Sequence, residues 1–164
     1  MTQAFVGLGA NLGDPAEQLR SALQRLSQLE SMRLVRQSSL YRSAPLGPAK
    51  QADYCNAVAE LQVSISATDM LDQLLKLENA MGRTRSGERW GPRYIDLDLL
   101  VFGDAVITEP GLRVPHPEMH KRNFVMLPLA EIAPQLEIPG QGRASDLAAC
   151  LGCEGIELWS EAHG

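Results

Sequence analysis

Tyr94-Ile95-Asp96-Leu97-Asp98-Leu99-Leu100-Val101-Phe102 is the stretch on which the fold turns. Apolar and acidic residues alternate through it, which is the period of a β-strand. Ile95, Leu97, Leu99 and Val101 are expected on one face. Asp96 and Asp98 are expected on the other, about 7 Å apart along the strand. Two carboxylates on one face of an otherwise apolar strand repel each other and lose hydration, so a positive partner should compensate them. A hard cation is the natural partner, and Mg²⁺ typically takes one or two carboxylates together with phosphate oxygens. Two such ions could share the pair and clamp a transferring phosphoryl group. On this stretch alone, a solvated D-x-D on an exposed face is an equal reading.

The residues just before the strand tip that balance. Arg83, Arg85, Arg89 and Arg93 stand there with only Glu88 opposing them. Arginine keeps its charge and pairs bidentately with phosphate oxygens. Phosphate transfer is mostly positioning and charge stabilisation, so arginines leading into a carboxylate strand fit a polyphosphate. Trp90-Gly91-Pro92 gives the same loop an aromatic ring, and a loop of this kind can close over a ligand and exclude water.

Further outward, the sequence supplies the other elements. Ser66 to Asp69 resembles a capping box and opens a helix carrying Met70, Leu71, Leu74, Leu75, Leu77 and Met81, ended by Gly82. Asn56 to Val63 alternates, with Ala57, Ala59, Leu61 and Val63 on one side, and reads as a half-buried strand. Leu34 to Tyr41 is extended, and Ser43 to Gln51 is a loop with two prolines. Asp14-Pro15-Ala16-Glu17 is a helix start, with Leu19, Ala22, Leu23, Leu26 and Leu29 behind it at helical spacing. Ala4 to Leu8 is a first strand. After Phe102, Gly103-Asp104 signals a turn, Ala105 to Ile107 a short returning strand, and Phe124 to Ile132 and Ala144 to Leu151 helices. The order strand, helix, strand, strand, helix, strand predicts an α+β protein. Its core is ferredoxin-like β-α-β-β-α-β, with an antiparallel-rich sheet and helices packed on it. That fold hosts many functions and decides none.

Composition narrows the function classes. The chain has 164 residues, 45% hydrophobic and 21% charged, which suits a single domain over 1–164. A formal net charge of −5 argues against a general nucleic-acid surface, and 5% aromatics against a stacking platform for RNA. No run approaches the ~20 apolar residues that span a bilayer, and the start lacks a signal-peptide pattern. A cytoplasmic monomer acting on small molecules, with no membrane or nucleic-acid partner, is expected. Three cysteines make no disulfide framework. Cys150 and Cys153 form a C-x-x-C without a second pair, so all three are read as reduced, mostly buried or incidental thiols.

Gly7-Leu8-Gly9-Ala10-Asn11-Leu12-Gly13 is not a dinucleotide fingerprint, because Leu12 stands where the third glycine belongs. A tight turn before the first helix is a sufficient reason for these glycines. His116, between Pro115 and Pro117, sits in a fixed loop where it can meet phosphate.

Arg89-Trp90-Gly91-Pro92-Arg93 followed by Asp96-Leu97-Asp98 resembles the signature of the hydroxymethyldihydropterin pyrophosphokinases of folate biosynthesis. The resemblance runs from Gly7 to about Pro134. It takes in Gly9-Ala10-Asn11-Leu12-Gly13, Tyr41-Arg42-Ser43, Pro45-Leu46-Gly47-Pro48, Tyr54-Cys55-Asn56-Ala57 and Val114-Pro115-His116. It implies transfer of pyrophosphate from ATP, the co-substrate, to the pterin hydroxymethyl group with release of AMP. By the same resemblance Asp96 and Asp98 bind two Mg²⁺ ions, and Arg83 and Arg93 act on the transferring phosphates. Glu78, Arg85, Arg93, His116 and Arg122 belong to the ATP side. Tyr54 and Phe124 sandwich the pterin and Asn56 reads its edge, while Ser43, Leu46 and Trp90 complete that pocket. Ser86 stands where some members carry lysine. Gly111, Arg113 and Pro117 fall at variable positions toward the nucleoside. An idle binding module of the same fold and an ordinary kinase releasing ADP are the competing readings.

Overall fold

The computed structural model describes residues 1–44, 53–82 and 95–160. Strand β1 is Thr2–Ala10, helix α1 Pro15–Ser27, β2 Met32–Gln37, β3 Tyr41–Ser43 and β4 Tyr54–Val63. Helix α2 is Ala67–Gly82, β5 Asp96–Phe102, β6 Ile107–Glu109 and β7 Leu112–Val114. After a 3₁₀ turn at Met119–Lys121 come α3 Asn123–Ile132, β8 Glu137–Ile138, β9 Gly142–Arg143, α4 Ala144–Leu151 and β10 Ile156–Leu158.

Local signals explain where the helices begin. Asp14 accepts the backbone N–H of Glu17 at 3.3 Å, with Pro15 in the first helical turn. Ser66 caps α2 in the same way, accepting the N–H of Asp69 at 3.1 Å. The apolar stripe of α1 puts Leu19, Ala22, Leu23 and Leu26 into the core. Burying a leucine side chain of this kind contributes roughly 1.5–3 kcal/mol. Pro128 lies inside α3, whose ten residues persist because the helix is pressed onto the sheet.

Every pairing in the main sheet is antiparallel, in the order β10-β3-β4-β1-β5 with β2 also against β4. β2 and β3 therefore follow one another along the same edge of β4, and β5 is a sheet edge. One face carries Ala4, Val6, Leu8, Ala57, Ala59 and Leu61 beneath α1 and α2. The other carries Phe5, Val58 and Leu100 beneath α3, and α4 packs on α3 in turn. Helices on both sides correct the expectation that the fourth strand is half-buried: nearly every residue of β4 is buried. The alternation of Ile95, Leu97 and Leu99 holds, all three packing in the α1/α2 layer. Val101 departs from it. Phe5 pairs with Val101 and Val6 with Leu99, so Leu100 is an extra residue on β5 and Val101 turns to the α3 face.

The short strand after Phe102 begins at Ile107 and pairs with β7, not back onto β5. Gly111, at φ +80°, allows the tight return between the two. The β8–β9 pair and β10 were not foreseen. Among the described helices, none is long and apolar enough to cross a membrane.

Candidate functional site

A cavity of about 240 Å³ opens on the α3 face of the sheet, next to the carboxylate end of β5. Its floor is made by missing side chains. On that face of β1 the sequence runs Phe5, Gly7, Gly9: Phe5 is buried under α3, and the two glycines then leave space. A Cβ at Gly9 would stand 3.2 Å from Asn56 Nδ2, closer than side chains normally sit. The tight-turn reading of these glycines is thus corrected. Gly7 and Gly9 are strand residues lining the cavity, and Gly13, at φ +61°, is the one in the turn. The signal was present as glycine at a period of two within a strand.

The strand register brings the polar groups together. Gly9 pairs with Asn56 on one side and Asp96 on the other, and Gly7 with Asp98. Ser43, Tyr54, Asn56, Asp96, Asp98, Arg122 and Phe124 all line the cavity. Leu8, Ala44, Ala57 and Val125 line it too and carried no signal in the sequence. Ser43 and Asn56 are buried, and Ser43 Oγ donates to Asn56 Oδ1 at 2.6 Å. Asp96 and Asp98 are exposed at its mouth. The Arg122 guanidinium lies 5.8 Å from the centre of the Phe124 ring, in the first turn of α3, where the helix end also favours negative charge.

A second groove adjoins the first, with Asp98 shared between them, and includes Glu78, Arg113, His116 and Pro117. The His116 backbone N–H donates to Leu100 O at 2.8 Å, and its carbonyl accepts from Gln141 Nε2 at 3.0 Å. Its Nδ1 accepts the N–H of Glu118 at 3.1 Å, so the neutral ring carries its proton on Nε2. Burial lowers the His116 pKa below the usual histidine value; the Asp98 carboxylate opposes that shift and Arg122 adds to it. Glu78 is 8% exposed, and its Oε2 accepts the backbone N–H of Leu97, between the two aspartates, at 2.6 Å. Arg83, Arg85, Arg93, Trp90 and Leu46 lie outside the described residues.

Among the described residues, no group of three His, Cys, Asp or Glu side chains forms a closed metal cage. Asp96 and Asp98 offer carboxylate oxygens only, on one open face. That donor set fits a hard cation completed by substrate oxygens and water. Cys55 is buried, which pushes its thiol up to about 12, while Cys150 and Cys153 are exposed. Of the buried or incidental thiols expected, Cys55 is the buried one and the other two lie at the surface.

A family model described as 7,8-dihydro-6-hydroxymethylpterin-pyrophosphokinase matches residues 5–134. The chain belongs to this family. It is 46% identical over 147 residues to the 2-amino-4-hydroxy-6-hydroxymethyldihydropteridine pyrophosphokinase of Haemophilus influenzae, covering 90% of this chain and 91% of that protein. To the pyrophosphokinase of the same name from Bacillus subtilis it is 37% identical over 161 residues, covering 98% and 92%. A crystal structure of Plasmodium falciparum HPPK-DHPS superposes with a TM-score of 0.76 at 13% identity. It covers 96% of this chain but 48% of that one, so this chain spans about half its length. At that identity the likeness speaks for the fold alone.

Proposed function

We propose that the chain transfers pyrophosphate from ATP to the hydroxymethyl group of 6-hydroxymethyl-7,8-dihydropterin and releases AMP. The observation that carries this is one cavity joining an aromatic and amide-lined slot to a carboxylate pair, in a chain of the pyrophosphokinase family. A flat heterocycle suits the slot. Tyr54 and Phe124 offer ring faces, Asn56 offers an amide to its edge, and Ser43 lies beside it; Leu46 and Trp90, outside the described residues, would join them by the family resemblance. The hydroxymethyl oxygen then points to the mouth, where Asp96 and Asp98 stand.

In the transfer, the hydroxymethyl oxygen bonds to the β-phosphorus of ATP and loses its proton. The bond from that phosphorus to the α–β bridging oxygen breaks, and AMP leaves with the oxygen. Asp96 and Asp98 would hold two Mg²⁺ ions, which supply charge neutralisation on the phosphate oxygens. His116, neutral with Nε2–H free to donate, and Arg122 would face the nucleotide. Arg83 and Arg93 would stabilise the transferring group, and Arg85 the bound ATP. Glu78 would serve the ATP side through the strand, because its carboxylate holds the backbone that carries both aspartates.

The order β2/β3-β4-β1-β5 supports a ferredoxin-like description of the core; that the chain works as a monomer is part of the same proposal. Product analysis tests the reaction. The protein with ATP, Mg²⁺ and hydroxymethyldihydropterin should form AMP only when the pterin is present. ADP in its place would make the protein an ordinary kinase and overturn the reading.

A further inference from the structure

Asparagine is ambivalent at a ligand's edge, since a half-turn of its amide exchanges donor and acceptor. In this cavity something breaks the tie. Ser43, in β3, and Asn56, in β4, are each 5% exposed, and their side chains are joined by the 2.6 Å contact. An O–H···O bond has its usual length near 2.7–2.8 Å, whereas N–H···O lies near 2.9–3.0 Å. The Ser43 hydroxyl donates to the amide oxygen, Oδ1, which is the short kind of contact. The other end of the amide has a matching place. Nδ2 lies over Gly9, the register partner of Asn56 in β1, where the absent Cβ leaves room for it. All three residues line the same cavity.

We propose that Ser43 is a positioning residue: its hydroxyl fixes the Asn56 amide so that the slot offers the Nδ2 donor to a ring acceptor of the bound heterocycle. The inference rests on the pterin reading of the slot. It assigns the Ser43 side chain a task apart from its backbone's place in the wall. The strongest acceptor on such a ring is a carbonyl oxygen, so the arrangement selects an oxo-substituted ring over its amino-substituted counterpart. Removing the hydroxyl frees the amide to turn, and a turned amide meets a carbonyl with its own oxygen. Threonine keeps a hydroxyl on the same carbon and should keep the selection.

The test uses the full chain as wild type, Ser43→Ala and Ser43→Thr. Binding of 6-hydroxymethylpterin and of 2,4-diamino-6-hydroxymethylpteridine is measured by fluorescence, alongside KM and kcat for the dihydropterin and for ATP. Ser43→Ala is expected to weaken the oxo ring about tenfold, the size of one hydrogen bond lost in a buried site. It should also shrink the oxo-over-amino preference and leave the ATP KM unchanged. Ser43→Thr should restore the preference. An unchanged preference in Ser43→Ala, or equal losses for both rings and for ATP, would overturn the role of Ser43. Failure of the wild-type protein to bind either ring would overturn the pterin reading itself.

Discussion

Replacing Glu78 probes whether its carboxylate acts by holding the metal-binding strand or by touching the nucleotide. Among the described strands β5 pairs with β1 alone, so backbone groups on its other side look to partners outside the sheet. Leu97, 4% exposed, is one residue from each aspartate, and its N–H meets Glu78 Oε2 at 2.6 Å. A hydrogen bond to a charged partner contributes about 1.5–3 kcal/mol, and a buried donor left unmatched costs about 1–3 kcal/mol. Glu78→Gln keeps shape and an acceptor but loses the charge assistance. Relief from burying a carboxylate offsets part of that loss. A net destabilisation of about 1 kcal/mol is expected for Glu78→Gln, and about 2–3 kcal/mol for Glu78→Leu, which has no acceptor. Urea unfolding at constant slope reads both values, and hydrogen exchange at the Leu97 amide should accelerate in the same order. The Mg²⁺ concentration for half-maximal activity should rise in step with them. Wild-type stability in Glu78→Leu together with a large loss of ATP affinity would refute the reasoning and make Glu78 a direct nucleotide ligand.

Asp96→Asn and Asp98→Asn should each lower turnover by at least about 10³-fold while the protein stays folded, because the charge that would hold the metal is lost. Near-normal turnover in either variant would remove the metal assignment. Thiol titration of the native protein should count two fast cysteines, Cys150 and Cys153, with Cys55 reacting only after unfolding, since burial holds its thiol near 12. A fast third thiol would contradict the packing around β4. The His116 ring should titrate below its usual value in NMR. With the folded pKa below the unfolded one, the unfolded chain takes the proton first. Stability should therefore fall as pH drops below about 6.5 and level off beneath the folded value. His116→Gln should flatten that segment of the pH–stability curve, and an unchanged slope would count against it.

What could be read from the residues depended on range. The alternation around Asp96 and Asp98 is a local pattern, and the strand follows it as far as Leu99. Val101 escapes because a bulge is set by pairing with β1, a partner some ninety residues earlier. Asp14, Pro15 and Ser66 mark their helix starts through bonds that span three residues, so sequence alone suffices. The second face of β4 was missed for the opposite reason. Asn56, Val58 and Glu60 look half polar, and partners elsewhere in the chain cover them: Val58 packs with α3, Asn56 meets Ser43, and Glu60 meets Gln3 and Arg36. Resemblance named Ser43, Tyr54, Asn56, Asp96, Asp98, Arg122 and Phe124, and strand register together with the start of α3 puts them around one cavity. Gly7 and Gly9 slipped past because a glycine's contribution here is a volume, and volume appears only when strands are side by side.

The family match ends at residue 134, yet the chain beyond it is built into the same body. Ala144 and Ala148 are buried where α4 packs on α3, and β10 zips onto the strand that ends at Ser43. The Asn123 amide, one residue before Phe124, is tied to the carbonyls of Gly152 and Glu154 at 3.3 and 2.9 Å. For anyone fusing, splitting or minimising this protein, residue 134 is a false seam. A cut there would strip one wall of the cavity of its outer brace, and the junction belongs after Trp159, whose N–H reaches Leu40 O at 2.9 Å and whose ring centre lies 4.1 Å from the Arg42 guanidinium.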